Sequence, residues 1–282
     1  MTALTASKLK KAKTIVIKFG SNIIRNADAE WFENLAQNIA ELKSQGKNII
    51  IVTSGAIAIG RKKLALPAGE LALPEKQAAA MAGQPILMES FRSALDKSNL
   101  VAGQSLLTHF DMSRSQSKED AKNALFKFLK LNGIPVCNEN DVTSTDEITI
   151  GDNDGLATHL AIMIHADALI LFSTIDGFYK ECPIQNPNAE MYETIYEIVD
   201  EHWRAVGKIP KDSLTTGGGN SKLTAAYNCM GNGVTMVLTN GEKIGCLAEI
   251  IGDPSKPSTA FIAAENDNTQ PEPSTEMALR QS

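Results

Sequence analysis

Residues 134–154 read I-P-V-C-N-E-N-D-V-T-S-T-D-E-I-T-I-G-D-N-D. Ile134, Pro135, Val136 and Cys137 have the composition of a short buried strand, and the polar cluster Asn138, Glu139, Asn140 and Asp141 follows at its end. Strand ends are where open α/β sheets place their ligand crevices. A second cluster, Asp152, Asn153 and Asp154, opens the helical pattern Leu156, Leu160, Ile164, so its side chains and first amides are expected to point out of a helix N-terminus. Two polar clusters thus converge from a strand end and a helix start. Asn and Asp are also the commonest turn and cap residues, so the weight of this stretch depends on the chain around it.

Upstream, Thr14 to Ile17 form a β-branched run that ends at Lys18-Phe19-Gly20-Ser21-Asn22, a strand followed by a glycine turn. A helix over about Ala29 to Ser44 carries Phe32, Leu35, Ile39 and Leu42 on one face and is stopped by Gly46. The strand Asn48 to Val52 then ends in Thr53-Ser54-Gly55-Ala56, and the crossover helix makes the two strands parallel neighbours. A helical stretch from Glu75 to Lys97, which Pro85 should kink or split, leads to a strand near Leu100 to Thr108 and a helix over about Lys118 to Leu131. Downstream, Ala168 to Phe172 is a continuous apolar run, as expected of a parallel strand covered on both faces, and ends at Ser173-Thr174. The turn-rich span Asp176 to Leu214 holds one amphipathic piece around Tyr196 to Val206. A helix opened by Thr216-Gly217-Gly218-Gly219-Asn220-Ser221-Lys222 runs through Met230, and Val234 to Leu238 is a further strand. Alternating β and α units predict a three-layer α/β/α sandwich with a mainly parallel central sheet. Residues 1–12 read as a flexible lead, 13–263 as the folded domain and 264–282, polar and containing proline, as a disordered tail.

Composition narrows the function classes. With 43% hydrophobic residues in 282, a sizeable core is available. The formal charge of −6 and the lack of a basic stripe argue against nucleic acid as a partner. No apolar run approaches membrane-spanning length and no cleavable leader pattern is present, which predicts a cytoplasmic protein. Cys137, Cys182, Cys229 and Cys246 form no C-x-x-C pair, and His109, His159, His165 and His202 lack zinc-type spacing. Neither set predicts a metal site.

The chemistry gathers at the strand ends. Lys18 precedes Gly20 by two residues, and that glycine lets a phosphate approach the backbone amides. Lys222 follows three glycines at a helix start, where free N–H groups and the dipole favour an anion. Two cations and two glycine-rich turns on one sheet edge suggest a polyphosphate, although no G-x-x-x-x-G-K-S/T loop, protein-kinase motif set or G-x-G-x-x-G after the first strand is present. The acidic groups have no histidine base nearby in sequence, which fits a nucleophile that is already ionised, such as a carboxylate. Its attack on a γ-phosphate brings two anions together, so catalysis would rest on positioning and on charge neutralisation by lysines and Mg²⁺. An amino-acid substrate would also need an acid for its ammonium, which Asp141 or Asp152 could provide.

V-I-K-F-G-S-N, I-V-T-S-G-A-I-A-I-G-R, K-Q-A-A-A-M-A-G-Q, N-E-N-D, I-G-D-N-D and T-G-G-G-N-S-K-L-T-A-A occur in the order and spacing of the amino acid kinase family. The chain resembles its glutamate 5-kinase branch over about residues 13–263, in a form without the C-terminal PUA domain that many bacterial relatives carry. The resemblance implies phosphoryl transfer from ATP to the γ-carboxylate of L-glutamate, the opening step of proline synthesis. It implies that Lys18 and Lys222 contact the ATP phosphates and that Asp154 holds those lysines. Gly20 and Gly55 would let backbone approach the phosphoryl group, while Ser54, Asp141 and Asn153, with Asp152 beside them, would bind glutamate. Thr216, Gly217, Gly218, Gly219, Asn220, Ser221 and Lys222 would lie along the nucleotide, as would Ser173 and Thr174. Mg²⁺ with ATP, feedback by proline and a homo-oligomer are further implications.

Three departures fall on the nucleotide side: Ser173-Thr174 where relatives usually carry Thr-Asp, Cys182-Pro183 for Asp-Pro, and Gly219 for a common Met. Two other readings stand beside this one. The first is another kinase of the fold, acting on acetylglutamate, aspartate or a nucleoside monophosphate, against which the acidic clusters argue. The second is a catalytically silent amino-acid sensor, against which the retention of both lysines and Asp154 argues.

Overall fold

The computed structural model describes residues 3–144, 153–183, 185–207, 218–241 and 257–263, together with 247 and 251. In chain order the elements are α1 (Ala3–Lys11), β1 (Thr14–Phe19), α2 (Ser21–Asn26), α3 (Ala29–Ser44), β2 (Asn48–Val52), α4 (Ala56–Lys63), α5 (Leu73–Lys97) and β3 (Ala102–Leu107). There follow α6 (His109–Ser113), α7 (Ser115–Lys130), β4 (Ile134–Glu139), α8 (Asp154–Met163), β5 (Ala168–Ser173), β6 (Thr194–Ile195), α9 (Asp200–Gly207), α10 (Gly219–Gly231), β7 (Thr235–Asn240) and β8 (Ser258–Phe261). The strands form one sheet in the order β3-β4-β2-β1-β5-β7-β8-β6. Every pairing is parallel except β7 with β8. Among the described residues no helix is long and apolar enough to cross a membrane.

The pleat sorts side chains into two cores. Ile15, Ile17 and Phe19 of β1, with Ile49, Ile51, Ile170 and Phe172, face the layer of α3 and α5 and meet Leu35, Ile39, Leu87 and Phe91. Val16, Ile50, Val52, Leu169 and Leu171 face the opposite layer and meet Leu156, Leu160, Leu223 and Ala226 of α8 and α10. Because successive residues alternate faces, Lys18 falls on the α8 and α10 side with Val16. Pairing of Lys18 with Val52 and Leu171 puts it at the carboxyl end of the central strand. Cys137, Cys182 and Cys229 are buried. Burial pushes the Cys137 and Cys229 thiols up to about 12, each offset in part by a hydrogen bond, with Ser105 and Thr158 respectively.

Two expectations are corrected. The N-terminal lead is not frayed over residues 3–11: it forms α1, with Thr5 and Leu9 fully buried. The Lys47 ammonium donates to the carbonyls of Leu9 at 3.3 Å, Lys10 at 2.9 Å and Ala12 at 2.7 Å, which satisfies the open acceptors at the helix end. Nor does Pro85 split α5, which runs unbroken over Leu73–Lys97. The missing amide at Pro85 orphans the carbonyl of Met81, one turn back and on the exposed side of the helix, where water is available to it. On the inner side α5 is held against α4 at a close crossing. A Cβ on Gly83 would lie 1.9 Å from the Ala56 carbonyl oxygen, and one on Gly60 would lie 1.7 Å from that of Ala79.

Candidate active site

Lys18 at the end of β1, Asp154 at the start of α8 and Lys222 in the first turn of α10 converge on the α8 and α10 side of the sheet. The Lys18 ammonium donates to Asp154 Oδ1, and Lys222 Nζ donates to Oδ2 at 3.1 Å. Ser221 Oγ donates to the same Oδ2 at 3.2 Å. All three charged residues are buried, with relative exposures of 5% for Lys18, 1% for Asp154 and 7% for Lys222. Burial alone would raise the Asp154 pKa, but the charges of Lys18 and Lys222 and their hydrogen bonds outweigh it and hold the carboxyl below its ordinary range. Two cations share one carboxylate beside the α10 N-terminus. Such a centre can attract and neutralise an anion.

A second group adjoins it across the sheet end. Asn153 precedes α8 without capping it through its side chain. Its Nδ2 instead donates to Asn138 Oδ1 at 2.6 Å and to the carbonyl of Thr53, the residue before Ser54. Asn153 and Asp154 therefore point inward and are buried, where the sequence reading had them projecting from a helix start. Ser54 is half-buried at the end of β2, and Gly55 follows it as the N-cap of α4 with φ 102°, a left-handed turn that favours glycine. Gly20 caps α2 at the end of β1, and Gly218 caps α10. Ser173 is buried at the end of β5, opposite Asn240 in the register, with Thr174 half-buried next to it. Gly219, Asn220, Ser221 and Lys222 form the first turn of α10.

Asp141 stands two residues beyond β4 and lines a cleft of about 440 Å³ with Glu139, Asn140, Gln104 and the α5 residues Gln84, Met88 and Arg92. Burial, followed by the charge of Glu139, raises its pKa to about 6. Asp152, Thr216 and Gly217 lie outside the described residues. Sequence reasoning named Asn138 within a polar cluster without giving it a role, and missed Gln84, whose Oε1 accepts from Asn138 Nδ2 at 2.8 Å. The polar quartet Asn138–Asp141, which spans the end of β4, flagged Asn138 only as one of a group, and its partner lies on α5 and left no local signal. Among the described residues no group of three or more His, Cys, Asp or Glu could hold a metal ion.

The chain matches the amino acid kinase family over residues 13–240. It is 39% identical to the glutamate 5-kinase of Paramagnetospirillum magneticum over 249 residues, covering 86% of this chain and 67% of that protein. It is 38% identical to that of Brucella ovis over 261 residues (91% and 68%) and to that of Bartonella henselae over 267 residues (93% and 70%). A crystal structure of UMP kinase from Ureaplasma parvum superposes with a TM-score of 0.57 at 19% identity, covering 89% of this chain and 99% of that one, which establishes a shared fold. The central parallel sheet, the family match and the relatives agree: the chain belongs to the amino acid kinase family and stands with its glutamate 5-kinases.

Proposed function

We propose that this chain transfers the γ-phosphoryl group of ATP to the γ-carboxylate of L-glutamate, giving L-glutamyl 5-phosphate, the first step of proline synthesis. The observation that carries the reading is the buried Lys18–Asp154–Lys222 centre at the end of the central strand, where two ammonium groups meet on one carboxylate. A γ-carboxylate oxygen forms the new bond to the γ-phosphorus as the bond to the β-phosphate oxygen breaks, and ADP leaves. The nucleophile is already ionised near neutral pH, so no general base is required. What the reaction needs is alignment of two anions and stabilisation of charge on the transferring group. Lys18 and Lys222 supply that charge, and Asp154 fixes the position of both ammonium groups. Gly20 and Gly55 admit the phosphoryl group to backbone N–H donors. Ser173, Thr174 and residues 216–222 flank the nucleotide, and Ser54, Asp141, Asp152 and Asn153 hold glutamate. Mg²⁺ belongs to the reading as MgATP: oxygen-seeking and content with phosphate ligands, it would be carried by the nucleotide and add to the neutralisation. A cytoplasmic homo-oligomer with feedback by proline completes the proposal.

Hydroxamate formation from L-glutamate, MgATP and hydroxylamine traps the acyl phosphate and tests the reading. Lys222→Ala is expected to lower kcat about 10²–10³-fold, the usual cost of removing one preorganised charge donor. Absence of glutamate-dependent product from folded wild-type protein would overturn the assignment.

The raised pKa of Asp141 gives a pH signature. If its carboxylate receives the glutamate ammonium, binding weakens as the group protonates below about 6. At saturating MgATP, KM for glutamate should rise roughly tenfold between pH 7.5 and pH 5, following the ionised fraction. Asp141→Asn should have a high KM that is flat over this range. A wild-type KM that stays flat would remove Asp141 from the glutamate pocket.

A further inference from the structure

Four side chains form a directed relay that ends at the candidate glutamate site. Gln84 Nε2 of α5 donates to Gln104 Oε1 of β3 at 3.4 Å, which leaves Gln84 Oε1 facing inward as an acceptor. Asn138 Nδ2 donates to that oxygen at 2.8 Å. Asn138 Oδ1 is thereby turned the other way, where it accepts from the Glu139 amide at 2.9 Å and from Asn153 Nδ2 at 2.6 Å. Asn153 Nδ2 also donates to the Thr53 carbonyl. An amide nitrogen has two hydrogens, and both of Asn153's are committed in this arrangement. Its Oδ1 is what remains to meet a ligand.

We propose that Gln84 is a positioning residue: through Asn138 it holds Asn153 with its oxygen presented as an acceptor for the α-ammonium of the substrate. This rests on the glutamate reading and deepens it, because it assigns a polarity to one contact. With the amide turned the other way, Asn153 would offer a donor, which suits a carboxylate and repels an ammonium. The setting for Gln84 is rigid. Its neighbour Gly83 lies against the Ala56 carbonyl of α4, the helix that begins at the Ser54-Gly55 turn. Asn138 lies on β4 and Thr53 directly follows β2, two paired parallel strands, and the Thr53 amide donates to the Cys137 carbonyl at 2.9 Å. The relay thus ties α5 to the sheet end at the point where the candidate substrate residues gather.

The test compares Gln84→Leu, which removes the acceptor, with Gln84→Glu, which keeps one. Glutarate, which lacks the α-ammonium, is the probe for the contact, and its γ-glutamyl-like acyl phosphate is trapped by hydroxylamine in the same assay. Gln84→Leu should raise KM for glutamate about tenfold with KM for ATP unchanged, and should lower the preference for glutamate over glutarate, as kcat/KM, by a similar factor. Gln84→Glu should recover most of both. A folded Gln84→Leu protein with an unaltered glutamate preference would overturn the proposal, as would equal changes in both KM values or failure of Gln84→Glu to rescue. Wild-type protein without glutamate-dependent product would instead remove the underlying function, so the two failures are distinguishable.

Discussion

Asp154→Asn is expected to cost about 3–5 kcal/mol of stability and to lower kcat at least 10²-fold. The carboxylate is 1% exposed and receives both Lys18 and Lys222. Its replacement removes the carboxylate on which these two buried ammonium groups meet. The pH dependence follows from the direction of the shift. The Asp154 pKa is lowered in the folded protein, so its contribution is fully present above the unfolded value of about 3.9 and is lost only as pH falls through the folded one. The stability gap between wild type and variant should therefore be constant from pH 6 to 8 and shrink only in strong acid. Removing one of the repelling cations as well, in Asp154→Asn with Lys18→Met, should restore part of the melting temperature and none of the activity. That pattern separates what the carboxylate does for the fold from what the cations do for the reaction. Equal melting temperatures and equal hydroxamate rates for wild type and Asp154→Asn would contradict both parts.

The strands were legible because each carries its own signal. Thr14–Phe19, Asn48–Val52 and Ala168–Ser173 are near-continuous apolar runs buried on both faces, and they appear where those runs predict. The helix Ala29–Ser44 likewise matches its periodicity and its glycine stop. Lys18 and Lys222 were flagged by glycines beside them, and the family motifs supplied Asp154. What the sequence hides is pairing between distant residues. Lys18 and Asp154 are 136 residues apart, Gln84 and Asn138 are 54 apart, and Lys47 reaches the end of α1 from 35 residues away. None of these has a local pattern. Charged residues mark Lys8, Lys10 and Lys11 as a solvated lead until Lys47 is seen to close the helix that holds them. The helix α4 was missed for a related reason: A-I-A-I-G-R-K-K contains a glycine that reads as a turn, and only the crossing with α5 explains it.

That crossing carries the second large effect. In Gly83→Ala the new Cβ would sit 1.9 Å from the Ala56 carbonyl oxygen and 2.6 Å from the Gly60 amide nitrogen. Both neighbours are backbone, so no side chain can swing aside and α4 and α5 must move apart. Overpacking of this kind costs about 1–3 kcal/mol and sometimes more, against a gain of about 0.8–1 kcal/mol from replacing glycine by alanine within a helix. With backbone on both sides, the upper part of that range applies and the net effect is destabilising. Each kcal/mol should lower Tm by about 2–4 °C in a chain of this size. Gly231→Ala is the control: it ends α10, a Cβ there meets nothing within 4 Å, and its Tm should hold or rise. The functional consequence follows from what the crossing supports. Moving α4 shifts the Ser54-Gly55 turn at its start, and moving α5 shifts Gln84 and the relay to Asn153. Gly83→Ala should therefore raise KM for glutamate more than KM for ATP even at temperatures where the protein remains folded. A variant that loses stability yet keeps both KM values would show that the crossing braces the helical layer without governing the site.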